Sequence, residues 1–326
     1  MTTSPLIIPI ASGKGGVGKS VLTANLAMAL AKLGHATIAV DLDLGGSNLY
    51  SFLGLPNDYP GIGDYLKARY RELDALLVPT PIASLQFLPG DVRSPLMANI
   101  PYAQKMRLIH HLRKLPGEYI LLDLGAGSSF NTLDFFAISP QGLLVTTPDI
   151  PAIINLMTFL KNLIFRNIVR AIRKNKMIHD LVQECYAQPV TADPLTSQSL
   201  YDQIAKVDAT MASQVLKICQ QFHPGLVFNR GTHPHELKIL QEVEANLNNL
   251  LSLKANHWGF IFEDRSVFEA TRKQIPLISH YPKSTFTKDI FRIAYRIVRL
   301  WQTPPDNSAA LLLDNTTEVF EKRHKR

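Results

Sequence analysis

Gly13-Lys14-Gly15-Gly16-Val17-Gly18-Lys19-Ser20 fits the pattern G-x-x-x-x-G-K-[ST], and its flanks decide the fold. The apolar run Leu6-Ile7-Ile8-Pro9-Ile10-Ala11 ahead of it reads as a buried strand. Ser20 to Leu33 reads as a helix closed by Gly34. Glycines let backbone N–H groups crowd around a polyphosphate, and the following helix turns its positive end towards it. The cradle is expected to run through Gly13, Lys14, Gly15, Gly16, Val17, Gly18, Lys19, Ser20 and Val21. Lys19 supplies a point charge for the β- and γ-phosphates, and the Ser20 hydroxyl is a natural Mg²⁺ ligand. A glycine-rich turn without a ligand is the plain alternative, and the strand–loop–helix context argues against it.

Strand-like runs recur near 6–11, 36–41, 85–88, 119–123, 142–147, 225–229 and 258–262, with helical patterns between most of them. This alternation predicts an α/β fold: a doubly wound, mostly parallel sheet with helices on both faces. A ligand then sits beyond the carboxyl ends of the strands, where the motifs fall. The second run ends in Asp41-Leu42-Asp43, with Asn48 further on. Strand alternation puts both carboxylates on one side, where they repel unless a cation lies nearby. Plain strand-end turns are the other reading. Tyr119-Ile120-Leu121-Leu122-Asp123 is an apolar strand ending in an acid. Downstream of a phosphate loop it fits the second nucleotide motif, in which Asp123 holds Mg²⁺ through water.

Lys14 narrows the family, since many phosphate loops have no lysine at that position. Lys14 to Ser20 resembles the deviant loop of the MinD/ParA group of P-loop ATPases, nearest its MinD/FlhG branch. The resemblance implies that Lys14 reaches across a homodimer interface to phosphates held by the other copy, coupling ATP to assembly. A solvated lysine is the alternative. By the same resemblance Asp43 orients or activates the attacking water and Asp41 sits near Mg²⁺. Leu124-Gly125-Ala126-Gly127 resembles the second switch, although the group usually has Ser-Pro before Ala-Gly. Leu226-Val227-Phe228-Asn229-Arg230 resembles the strand ending beside the base, with Asn229 reading the adenine edge and Arg230 next to it. Glu263-Asp264-Arg265-Ser266-Val267 matches P-E-D-x-x-V with Phe262 in place of proline, and Ala270 and Ile275-Pro276-Leu277 continue the match. Ordinary packing is the alternative for these later residues. The resemblance covers residues 5–302 in outline, with specific motifs in 11–48, 119–127 and 225–278.

What the resemblance implies is an ATP- and Mg²⁺-dependent dimerisation switch. Its hydrolysis is slow and stimulated by an activator or cargo protein, and it positions a division site, flagellum or other polar machinery. A ParA-like DNA or cargo segregation ATPase is the nearest alternative. A metabolic ligase or metal-cofactor insertion enzyme on the same fold is another. FlhG-type relatives carry a glutamine-containing segment ahead of the loop, and almost nothing precedes it here.

The chain has 326 residues, 46% of them hydrophobic, and a mean hydropathy of +0.03, enough for one large α/β domain. No uninterrupted apolar run is long enough to span a bilayer, and Met1-Thr2-Thr3-Ser4-Pro5 has no basic leader. Cys185 and Cys219 are the only cysteines and read as reduced thiols, so a cytoplasmic protein is expected. Their spacing does not suit an iron–sulfur cluster. His110-His111 and His233-Pro234-His235-Glu236 read as structural or solvated. The expected organisation is one domain over 1–302, with a variable loop or insertion at 178–200. A linker and basic tail over 303–326 follow, with 309–326 expected to be partly disordered.

Net charge is +7 and uneven. Between Pro151 and His179 stand Lys161, Arg166, Arg170, Arg173, Lys174 and Lys176 without an acid. Arg166, Arg170, Arg173 and Lys174 share one helical face. In MinD-like proteins this region helps to form the regulator-binding surface. A solvated basic face is the alternative, with anionic lipid or DNA contact also open. Asp289 to Trp301 is amphipathic and reads as a helix packed on the sheet. The extreme C-terminus is basic but poor in bulky apolar residues, which suits at best weak, reversible attachment to the inner face of a membrane.

Overall fold

Alternate residues along the central strands belong to opposite apolar faces. Ile7, Ile38, Val40, Ile120 and Leu122 lie on one side, and Ile8, Ile10, Ala39 and Leu121 on the other. Both sides must be covered, and near-continuous apolar strands of this kind form the parallel core of an α/β sheet. The computed structural model describes residues 4–90, 100–172, 175–187 and 197–324. Its strands are β1 (Leu6–Ala11), β2 (Thr37–Leu42), β3 (Val78–Pro79), β4 (Leu85–Leu88), β5 (Tyr119–Leu124), β6 (Leu143–Thr146), β7 (Gly225–Gly231) and β8 (Asn256–Phe262). They form one sheet in the order β3-β4-β2-β5-β1-β6-β7-β8. Every pairing is parallel except β3 with β4. The doubly wound, mostly parallel sheet read from the sequence is therefore present. Only β3 escaped the sequence, because a two-residue strand ending in proline carries no periodicity.

The helices are α1 (Lys19–Lys32), α2 (Leu49–Phe52), α3 (Ile62–Leu66), α4 (Tyr102–Leu112), α5 (Phe130–Phe136), α6 (Ile150–Ile172) and α7 (Lys176–Ala187). Then come α8 (Ser197–Ala205), α9 (Ala209–Gln220), α10 (Ile239–Leu251), α11 (Arg265–Lys273), α12 (Leu277–His280), α13 (Thr285–Leu300) and α14 (Ser308–His324). Helices α1 and α13 cover one face of the sheet, while α4, α5, α6, α9 and α10 cover the other. Helix α6 has the length and composition to cross a membrane, yet Leu156, Phe159, Leu160, Leu163, Ile164 and Ile168 along it are buried in the core. Cys219 on α9 is a buried free thiol, which burial pushes up to about 11. The side chain of Cys185 lies outside the described residues.

Two expectations need correction. The segment 178–200 is not a loop throughout: α7 and α8 occupy its ends, and 188–196 lie outside the described residues. Nor is 309–326 loose where it is described. Leu312 is buried, and Leu313, Val319 and Phe320 pack against the same core cluster. The spacing 312, 313, 316, 319, 320 is a helical stripe, and β8 offers it a surface. Helix α14 thereby covers the last strand of the sheet. The Ser308 hydroxyl accepts from His257 N (3.1 Å), and Arg296 donates to the Trp258 carbonyl (3.1 Å), satisfying edge groups that would otherwise invite another strand.

Candidate functional site

The loop between β1 and α1 leaves the sheet at its carboxyl edge, where β1 stands between β5 and β6. Close approach explains two of its glycines. A Cβ at Gly13 would lie 2.3 Å from the Asn155 carbonyl on α6. Gly18 has φ 89° and caps α1, and a Cβ there would lie 2.3 Å from Asn229 Nδ2. Asn229, buried at the end of β7, donates to the Val17 carbonyl (2.7 Å) and ties the far strand to the loop. Arg230 has left-handed φ (61°), is exposed, and pairs at 3.6 Å with Glu263 after β8. Asn229 and Arg230 thus part company, one turned to the loop and the other to solvent.

Lys19, at the first turn of α1, is buried, and its Nζ lies 2.7 Å from Asp123 Oδ1 and 3.3 Å from Ser20 Oγ. Asp123 is fully buried near the end of β5, and its Oδ2 has no hydrogen-bond partner. Register places Asp41 on β2 directly beside Asp123. Burial, reinforced by the Asp123 carboxylate, pushes Asp41 up to about 7. The sequence pairs Asp41 with Asp43; the structure pairs it with Asp123, because β2 ends at Leu42 and the alternation stops before residue 43. Asp41 is also engaged by its own loop. Its Oδ1 accepts from Asp43 N (3.1 Å), and its Oδ2 from Ser47 Oγ (2.7 Å) and Leu49 N (3.0 Å). Asp43 lies at the turn to Gly46, and its carboxylate faces Gly125, 3.4 Å from where a Cβ would stand. Burial raises its pKa and Asp123 adds to this, while Lys19 opposes them. Asn48 is exposed ahead of α2.

Lys14 Nζ donates to Asp149 Oδ1 (3.0 Å), and Asp149 caps α6 by accepting from Ala152 N (2.9 Å). Burial works to raise the Asp149 carboxyl, but hydrogen bonds from Thr147, Lys14 and Ala152 outweigh it and hold it low. Sequence reasoning missed Asp149, Ser47 and Thr23. None belongs to a motif, and each is found only by asking what a motif residue touches.

No cluster of three or more His, Cys, Asp and Glu able to hold a metal occurs among the described residues. Mg²⁺ in a phosphate loop asks less of the protein, taking one or two protein oxygens and filling its shell with phosphate and water. The partnerless Asp123 Oδ2, the Ser20 hydroxyl nearby and the raised Asp41 fit a divalent cation. Two carboxylates side by side in a buried corner, one with an orphaned oxygen, suit a positive charge in addition to the Lys19 ammonium.

Two of the six basic residues in the stretch read from the sequence, Arg166 and Arg170, are answered from another helix. Asp134 on α5 accepts from Arg166 Nε (2.5 Å), from Arg170 (3.3 Å) and from Lys105 of α4. Arg166 also lies over the exposed Phe130 ring. Arg173 and Lys174 lie outside the described residues.

A family profile described as the CobQ/CobB/MinD/ParA nucleotide binding domain matches residues 8–277. The septum site-determining protein MinD of Thermotoga maritima is 36% identical over 152 residues, 45% of this chain and 54% of that protein. The protein of the same name from Helicobacter pylori is 32% identical over 149 residues, 45% and 55% of the two chains. The chain spans about half the length of the curated relatives it matches. The structure of MinD from Pyrococcus horikoshii, complexed with Mg-ADP, superposes with a TM-score of 0.60 at 21% identity, covering 91% of this chain and 97% of that one. This likeness extends the shared fold across the whole sheet.

Proposed function

The chain belongs to the CobQ/CobB/MinD/ParA nucleotide-binding family, and from that premise we propose that it is an ATP-hydrolysing dimerisation switch that positions a cellular structure. Placement of a division site fits the relatives' names best. The observation that carries the reading is the convergence of Lys14, Lys19, Asp43 and Asp123, with the loop amides, at one carboxyl edge of the sheet. The amides of 13–21 and Lys19 bind the phosphates. Asn229, tied to the loop at the Val17 carbonyl, would read the adenine edge, with Arg230 next to it. Ser20 and Asp123 would hold Mg²⁺, which supplies charge neutralisation at the β- and γ-phosphates. Asp41 shapes the loop that carries Asp43, and Asp43, facing the second switch, orients the attacking water.

Lys14 completes the phosphate site of a second copy, so ATP favours a homodimer and hydrolysis undoes it. Such a site is slow alone, because the monomer lacks one cation of the complete constellation. An activator or cargo protein raises the rate by stabilising that constellation. The protein works in the cytoplasm, with any membrane contact peripheral. The test is light-scattering mass of Asp43→Ala protein with Mg²⁺-ATP and with Mg²⁺-ADP. A dimer in ATP and a monomer in ADP are expected, with Lys14→Ala abolishing the shift. A mass indifferent to nucleotide, with ATP demonstrably bound, overturns the switch.

A further inference from the structure

Thr23 stands one turn after Lys19 on α1 and is fully buried. Its Oγ1 lies 3.0 Å from the Lys19 carbonyl and 3.1 Å from Asp123 Oδ1. A threonine hydroxyl carries one proton, so it donates to one of these at a time. Asp123 Oδ1 already receives Lys19 Nζ at 2.7 Å, while Oδ2 is buried without a partner. Among the described residues, both side-chain donors to this carboxylate are thus gathered on one oxygen.

The Lys19 ammonium is also the group that a phosphate loop turns to its polyphosphate. When it turns, Asp123 loses its strongest donor in a fully buried site, at the moment its other oxygen is needed. Thr23 does not move with Lys19, because its hydroxyl sits on the rigid body of α1. We propose that Thr23 is a positioning residue for the Mg²⁺-binding carboxylate. Its O–H turns from the Lys19 carbonyl to Asp123 Oδ1 as Lys19 swings to the phosphates, and that bond would hold the carboxylate with Oδ2 left for the ion. Lys19 O is a helix carbonyl that keeps its own backbone partner along α1, so losing the threonine proton costs it little. The inference rests on the reading of this site as a Mg²⁺-nucleotide site.

The test uses the full chain and a fluorescent N-methylanthraniloyl-ADP, titrated with Mg²⁺ and, separately, bound in EDTA. Outer-shell partners of metal ligands are typically worth about 10-fold to 100-fold in metal affinity. Thr23→Val keeps the side-chain shape and removes the hydroxyl. It is expected to bind the analogue in EDTA as the unmodified chain does, yet to need at least about 10-fold more Mg²⁺ for half the fluorescence gain. Thr23→Ser keeps the hydroxyl and is expected to titrate like the unmodified chain. A Thr23→Val titration matching the unmodified chain overturns the inference. So does an equal loss in Thr23→Ser, which makes the methyl, and hence packing, the cause. Thr23→Ala serves as the second hydroxyl-free variant if Thr23→Val does not fold. Failure of the unmodified chain to bind the analogue at all overturns the reading of the site, and this inference with it.

Discussion

Single residues in this site answer to more than one partner, and that is where substitutions are informative. Gly18 combines a left-handed backbone with a collision course towards Asn229. Gly18→Ala is expected to cost about 1–2 kcal/mol from the backbone alone. The Asn229–Val17 bond should break as well, and a calorimetric melt will show the loss. Lys14 is held within its own chain by Asp149, yet both side chains are substantially exposed, 34% and 47%, so water screens the pair. Such pairs are typically worth ~0.2–1 kcal/mol. Asp149→Asn keeps the cap on α6 and removes the charge that holds Lys14. It is therefore expected to favour the ATP dimer by a few fold in sedimentation equilibrium, and Asp149→Asn with Lys14→Ala should lose that gain. An unchanged dimer constant would show that the pair does not restrain Lys14.

At the scale of elements, the last strand and its covering helix form a unit. His257 on β8 is buried and meets Ser308 of α14 (3.3 Å) and Glu244 of α10 (3.4 Å) through Nδ1, while its Nε2 has no partner. Burial lowers its pKa from 6.5 to about 4. The unfolded chain therefore binds a proton on this residue before the folded chain does. The stability His257 contributes is complete above pH 6.5 and is lost as pH falls from there towards about 4. Denaturant midpoints across that window should fall with acid in the unmodified protein and fall less steeply in His257→Phe. The basic face of α6 teaches the companion lesson. Asp134 on α5 pairs with Arg166 and Arg170, so part of a charge run that looks unanswered along the chain is paired across helices.

For the whole molecule, α14 decides whether the β8 edge of the sheet is covered. Its Leu312 is 2% exposed, its Phe320 stacks on Phe262, and its Arg323 reaches buried Asp289 at 2.8 Å. Leu312→Ala is expected to cost about 2–5 kcal/mol, read from chemical denaturation. Removing 308–326 uncovers the β8 edge and its apolar neighbours, and without nucleotide the truncated chain is expected to self-associate more than the full chain. Size-exclusion chromatography of the two chains at matched concentration checks this. A truncated chain that stays monomeric and as stable as the full one would mean that α14 is dispensable cover.

The parallel core of the sheet and a candidate phosphate cradle are written in the sequence. Apolar runs such as 6–11 and 119–123 cannot be left in water, and glycines at 13, 16 and 18 permit a turn other residues resist. Lys14, Lys19, Asp41, Asp43 and Asp123 could be named as candidates because each stands at a position of a short local motif. Tertiary structure alone decided what those residues touch. Asp41 meets Asp123 across a strand register, Thr23 shares Asp123 with Lys19, and Asp149 holds Lys14. It also turned an expected loose tail into the helix that covers the last strand of the sheet. Periodicity reports which face of an element is apolar. It carries no information on which other element, distant in sequence, will cover that face or supply the counter-charge, because those contacts exist only once the chain has closed on itself.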